Sequence, residues 1–150
     1  MKLYVTLIFV TIFLALGCSK ESCAEEKGLT TMDQYLADNN LTAEIGEAGM
    51  RYIINEPGGA AKPLPTAEVT VRYEGRQTND EIFDQTVGDP RTFRLDRLIG
   101  GWQLGIPLVG EGGKITLFLP SALAYGPSGT GEICPNSELI FEIELVSFNN

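Results

Sequence analysis

An alternation restricts the fold more than any other feature of this chain. In Glu68-Val69-Thr70-Val71-Arg72-Tyr73-Glu74 every second residue is apolar. The pattern returns near the C-terminus, where Leu139, Phe141, Ile143 and Leu145 share one side of a run and Glu138, Glu142 and Glu144 the other. A period of two belongs to a β-strand, and a dry face opposite a wet one suits an antiparallel sheet. Shorter strand segments are predicted at Met50-Arg51-Tyr52-Ile53-Ile54, Ile82-Phe83, Phe93-Arg94-Leu95 and Lys114–Leu119, with turns at Asn79-Asp80 and Gly88-Asp89-Pro90. Gly110-Glu111-Gly112-Gly113-Lys114 reads as a hairpin turn, because Ile115 after the lysine does not fit a phosphate-binding loop. Helical spacing occurs twice. Thr31 and Gln34 form a capping box ahead of Met32, Tyr35 and Leu36, ended by Asn39-Asn40. Leu98, Ile99, Trp102 and Ile106 recur at helical spacing until Pro107 stops them. The class is α+β: a mostly antiparallel sheet with one short central helix.

The N-terminus follows different rules. Lys2 precedes an almost wholly apolar stretch, Leu3–Leu16, which is shorter than the roughly 18 residues a membrane span needs. It runs into Leu14-Ala15-Leu16-Gly17-Cys18, which resembles the bacterial lipobox, with Ala15 where the motif's leucine usually stands. The resemblance implies cleavage before Cys18, lipidation of its thiol, and a protein anchored by lipid in the bacterial cell envelope, facing the periplasm. The expected organisation is a lipoprotein signal peptide over 1–17, a flexible tether over 18–30, a helical lead-in over 31–49 and one globular domain over 50–150.

Composition removes several function classes. Twenty acidic residues stand against 11 basic ones, a net charge of −9, which is the wrong sign for tracking nucleic acid phosphates. There is no histidine among the 150 residues, which removes Ser-His-Asp and Cys-His catalysis, a histidine general base and most zinc-enzyme ligand sets. No metal and no cofactor are expected. The chain has three cysteines. Lipidation of Cys18 would leave Cys23 and Cys134, which either pair in an oxidising compartment or stay as free thiols.

Five fragments occur in one order: Val69-x-Val71-x-Tyr73-x-Gly75, Phe83-Asp84, Leu98-Ile99-x-Gly101-Trp102, Leu119-Pro120-x-x-Leu123-Ala124-Tyr125-Gly126 and Pro135-Asn136-x-x-Leu139-x-Phe141. Together, over roughly residues 50–148, they resemble the FKBP-type peptidyl-prolyl cis-trans isomerases. The resemblance implies a five-stranded antiparallel half-barrel wrapped across a short helix, with a pocket between the two. It implies a lining of Tyr73, Phe83, Asp84, Phe93, Leu98, Ile99, Trp102, Tyr125, Ile133 and Phe141. Trp102 would form the floor, the Ile99 N–H and the Tyr125 hydroxyl would orient a bound carbonyl, and Asp84 would polarise the pocket. The implied partners are proline-containing unfolded or exported polypeptides. The sequence departs from the family at Ile133-Cys134-Pro135-Asn136, often Ile-Pro-Pro-Asn, and at Glu132, often apolar. These departures bear on substrate preference and macrolide affinity.

The residue types suit this reaction. Rotation about an X-Pro bond makes and breaks no covalent bond, so it requires neither nucleophile nor histidine. A water-poor aromatic pocket disfavours the dipolar planar amide more than the twisted one. Simpler readings exist for single residues. Tyr73 and Phe141 fit a sheet core as well as a pocket wall, and Asp84 fits a turn or an ion pair with Arg91 or Arg94. At the scale of function the alternatives are a non-catalytic binding or chaperone module of the same fold, and a structural envelope lipoprotein.

Overall fold

A computed structural model describes residues 22–150 of the protein. The signal peptide expected over 1–17 and the lipidation expected at Cys18 fall outside the described residues. Seven strands form one antiparallel sheet: β1 (Glu44–Ile45), β2 (Arg51–Glu56), β3 (Glu68–Gln77), β4 (Ile82–Gln85), β5 (Arg91–Arg94), β6 (Gly113–Leu119) and β7 (Leu139–Asn149). Their order is β1-β2-β6-β7-β3-β4, with β5 also paired to β3. β4 takes residues 74–76 of β3 and β5 takes residues 68–71, so the two short strands share one row. Counted by rows the sheet is the expected five-stranded half-barrel, to which β1 adds a two-residue edge too short for any periodicity to announce.

The alternation acts as predicted across the three central strands. Leu117 and Gly75 both face Phe141, and Ile115 and Tyr73 both face Ile143, so their side chains stack on one concave face. That face packs on the helix α3 (Gly100–Gly105), which Pro107 converts to a 3₁₀ turn over Ile106–Leu108. Val69, Val71, Leu95, Ile106, Leu117, Leu119, Leu139 and Leu145 are wholly buried there.

The other face is not simply wet. Phe118 and Ile140 are paired across β6 and β7 on the convex side, yet both are buried. They lie beneath Met32, Tyr35 and Leu36 of the helix α2 (Met32–Asp38), which forms a second, smaller core. Thr31 Oγ1 caps α2 by accepting from the Gln34 N–H, but the Gln34 side chain does not reach back; its Nε2 donates to Asp38 Oδ1 at 2.6 Å. Glu138, read as a solvent-facing strand residue, accepts from the Met32 N–H at 2.6 Å and supplies the negative charge that a helix N-terminus favours.

Two further expectations need correction. Part of the stretch read as a flexible tether is docked: α1 (Cys23–Glu26) opens with a complete capping box between Ser22 and Glu25, and its Cys23 is disulfide-bonded to Cys134, with Cα atoms 5.7 Å apart. Charge and small residues suggested solvation, but a crosslink and a lysine pinned at both ends outweigh composition. The glycine-rich 110–114 segment is no hairpin between adjacent strands. It links the 3₁₀ turn to β6 and is clamped to the 57–59 loop, with the Gly110 N–H donating to the Pro57 carbonyl and the Gly59 N–H to the Glu111 carbonyl. No helix among the described residues is long and apolar enough to cross a membrane.

Candidate active site

The concave face and α3 do not close on each other completely. Between them lies a cleft of about 150 Å³ lined by Tyr73, Asp84, Phe93, Leu98, Ile99, Trp102, Tyr125 and Phe141. An outer lobe of about 380 Å³ adjoins it, lined by Phe83, Asp84, Tyr125 and residues 130–133. Asp84 and Tyr125 belong to both. All ten residues that the sequence places at a pocket therefore line one lobe or the other. A larger depression, about 520 Å³, lies over the polar outward residues of β3, β6 and β7, among them Arg72, Glu74, Lys114, Glu142 and Glu144. Tyr73 is the one aromatic residue in its lining and its charges are of both signs, so the chemistry points to the cleft.

Trp102 is the floor. α3 can present it because Gly101 and Gly105 let the helix lie against the sheet. A Cβ at Gly101 would stand 2.3 Å from a Leu119 methyl carbon, and one at Gly105 2.5 Å from a Leu117 methyl carbon. Three rings meet the indole near edge-on: Tyr73 at 5.0 Å and 76°, Phe141 at 5.4 Å and 90°, and Phe93 at 6.3 Å and 82° between centroids and planes. Phe83 meets Phe141 in the same manner at 5.6 Å and 86°. Edge-to-face contact matches the positive rim of one ring to the negative face of the next, so the box is stiff as well as apolar. Among the described residues the buried indole Nε1 has no hydrogen-bond partner, an open donor in an otherwise apolar enclosure.

The polar groups sit at the mouth. Tyr73 Oη donates to Asp84 Oδ2 at 2.7 Å and accepts from Arg91 Nη1 at 2.9 Å. The Arg91 guanidinium is 3.8 Å from Asp84 and lies 5.8 Å from the Tyr73 ring centroid. Burial first, and the Asp84 carboxylate second, push the Tyr73 phenol up to about 12. Tyr125 is 38% exposed, and its partial burial and then the charge of Asp84 also raise its pKa. Both phenols are therefore neutral donors at ordinary pH. Ile99 is the residue before α3. Its carbonyl accepts from the Trp102 and Gln103 N–H groups, while no backbone carbonyl among the described residues takes its own N–H.

Asp84 thus joins both readings the sequence left open: it faces the cleft and it pairs with Arg91, whereas Arg94 is taken by Asp96. Sequence reasoning did not place Arg91 in the site. Its membership depends on register, which sets Arg91 opposite Val71 and so two residues from Tyr73. Thr130, Gly131 and Glu132 in the outer lobe were missed too, because a Gly/Pro-rich loop has no period to read.

Comparison with known proteins decides the family. The profile for the FKBP-type peptidyl-prolyl cis-trans isomerases matches residues 59–146, more than half of the chain. The chain belongs to this family. It is 40% identical over 119 residues to the FKBP-type peptidyl-prolyl cis-trans isomerase FkpA of Aeromonas hydrophila, covering 77% of this chain and 44% of that protein. It is also 40% identical over 103 residues to the outer membrane protein MIP of Legionella longbeachae, covering 67% of this chain and 44% of that one. Among solved structures, a peptidyl-prolyl cis-trans isomerase from Pseudomonas syringae superposes with a TM-score of 0.74 at 33% identity, over 87% of this chain and 99% of that chain. The chain thus spans under half the length of these two curated relatives.

Proposed function

We propose that this FKBP-type chain accelerates cis-trans rotation of X-Pro bonds in proline-containing unfolded or exported polypeptides. One observation carries the reading: Trp102 forms the floor of an open cleft, walled edge-on by Tyr73, Phe93 and Phe141. The barrier to rotation, about 18–20 kcal/mol, is amide resonance, and the uncatalysed process takes tens of seconds or more. Twisting the bond withdraws negative charge from the carbonyl oxygen. The planar amide therefore loses more on leaving water than the twisted amide does. A proline ring seated on Trp102 brings its amide into this water-poor space, and the difference lowers the barrier.

The polar residues orient the substrate. The Ile99 N–H and the Tyr125 hydroxyl donate to substrate carbonyls. Asp84 holds the Tyr73 hydroxyl and sets a negative potential at the mouth. Phe83, Leu98 and Ile133 contact residues flanking the proline. The test is a protease-coupled proline-peptide assay on the full chain, where catalysed rotation well above the buffer rate is the expected result. A rate equal to buffer, together with suppressed aggregation of an unfolded client, would select the non-catalytic chaperone reading instead.

The proposed setting is the bacterial envelope. The apolar stretch to Leu16 and the Gly17-Cys18 junction support a signal peptide over 1–17 and lipidation of Cys18, and the outer membrane name of the Legionella relative agrees with a membrane-associated place. The domain of residues 50–150 would then act on the periplasmic side. Radiolabelled fatty acid incorporation that survives in wild type and vanishes in Cys18→Ala checks the anchor.

A further inference from the structure

The described N-terminal segment adds no side chain to the aromatic box, yet it is fastened to the loop that forms the outer lobe. Cys23 is bonded to Cys134, 111 positions away in sequence. Lys27 Nζ donates to the Glu132 carbonyl oxygen at 2.7 Å and to Glu81 Oε2 at 3.2 Å. Asn79 Nδ2 donates to the Lys27 carbonyl at 2.9 Å. Glu81 Oε2 in turn accepts from Nε2 of Gln77, which is wholly buried at the end of β3. A chain of polar contacts thus runs from the sheet through Lys27 to Glu132, and a covalent bond runs from Cys23 to Cys134, the two residues that flank Ile133 being Glu132 and Cys134.

The loop's own bonds are local. The Thr130 N–H donates to the Ile133 carbonyl, the Ile133 N–H to the Thr130 carbonyl, and the Asn136 N–H to the Gly126 carbonyl. Such a loop keeps its shape but can tilt as a unit, because few bonds cross to the body. Ile133, 7% exposed, packs into the core and is the lobe's apolar contact on that side.

We infer that Cys23 and Lys27 are positioning residues: acting through Cys134 and Glu132, they hold the Ile133 wall against the substrate. The inference rests on the isomerase reading of the cleft. The crosslink is the part that matters most. A helix of four residues has no stability of its own, and an exposed ion pair adds little. Gly28 has φ +66° in open space, and just beyond it Thr30 is tied to Thr78 by two hydrogen bonds. Opening the bridge therefore frees residues 22–29 and the 126–136 loop while the rest of the fold stays closed. The box around Trp102 is untouched, so the rotation step keeps its rate, and what weakens is the grip on residues flanking the proline.

The test compares the full chain in three forms: oxidised, treated with a small dithiol, and carrying Cys23→Ser with Cys134→Ser. The dithiol closes to its own disulfide as the bridge becomes two thiols. Expected in the two opened forms is a KM for a proline peptide raised roughly three- to tenfold with kcat held within about twofold. Amide exchange should quicken far more in residues 128–136 than in β3 or β7, whose exchange rises only with the global stability that the lost crosslink supplied. Lys27→Ala, with the bridge intact, should raise KM less, and Lys27→Arg should restore it. An unchanged KM with unchanged loop exchange overturns the inference, as does exchange that quickens by the same factor in the loop and the sheet with kcat falling alongside. An oxidised wild-type chain that turns over no faster than buffer defeats the isomerase reading instead, and the exchange pattern then decides the clasp by itself.

Discussion

Trp102, Asp84 and Tyr125 differ in how much each removal should cost, because each is held differently. Trp102 is 5% exposed and touched by three rings, so Trp102→Ala opens a cavity and removes the floor. It should cost about 3–5 kcal/mol of stability, read by denaturant unfolding, and at least about tenfold in kcat/KM. Asp84→Ala strips the Tyr73 hydroxyl of its acceptor and leaves Arg91 uncompensated, for a loss of about tenfold in activity. Tyr125→Phe removes one donor at a half-open rim, for about two- to threefold. Wild-type rates in all three would dissolve the assignment. Tyr73 yields a spectroscopic prediction. Its folded-state pKa lies above that of a free phenol, so its neutral form adds stability that is complete below about pH 10 and is lost as the pH rises through about 12. An ultraviolet titration should show one phenolate appearing last, near 12, and Tyr73→Phe should lack it. Eight of the ten lining positions stand inside the five short fragments, since each fragment couples a residue type to a fixed place in the chain, and Phe93 and Ile133 come only from the family resemblance as a whole. Arg91 could not be named, because its neighbours are set by strand pairing and not by spacing.

The elements were readable wherever a single periodicity held. β3 and the odd positions of β7 alternate cleanly, and their burial follows. The reading broke where both faces of a strand are covered. In Leu117-Phe118-Leu119 and Leu139-Ile140-Phe141 all three residues are buried, and such unbroken apolar triplets are the sequence mark of a strand sandwiched on both sides. α2 is the second cover, fastened by the Tyr35 hydroxyl donating to Asp80 Oδ1 at 2.8 Å and by Glu138 at its N-terminus. Phe118→Ala should therefore cost about 3–5 kcal/mol although it lies across the sheet from the cleft. Activity assayed well below the lowered melting temperature should remain near wild type. If instead the variant loses activity with little loss of stability, α2 contributes to catalysis in a way this packing does not explain.

For the molecule as a whole, the Cys23–Cys134 bond closes a ring of more than a hundred residues that contains nearly every strand. In the chain-entropy account a crosslink of that span stabilises by about 4–5 kcal/mol, so reductant should lower the urea midpoint sharply and the same treatment of Cys23→Ser should change nothing. Cysteine counting leaves Cys23 and Cys134 either paired or free, and the bond takes the first alternative; the docking of residues 22–30 does not follow from composition, since a short polar segment can be placed only by what it touches. The same bond decides where the molecule can be handled. Ser22 leaves the body beside the substrate door, whereas Asn149 ends a strand of 11 residues that starts near the flap, about 30 Å away at the opposite tip. Bulky cargo spliced upstream, whether a fluorescent reporter or a surface linker, would crowd the doorway, and the same cargo spliced after Asn150 would leave it clear.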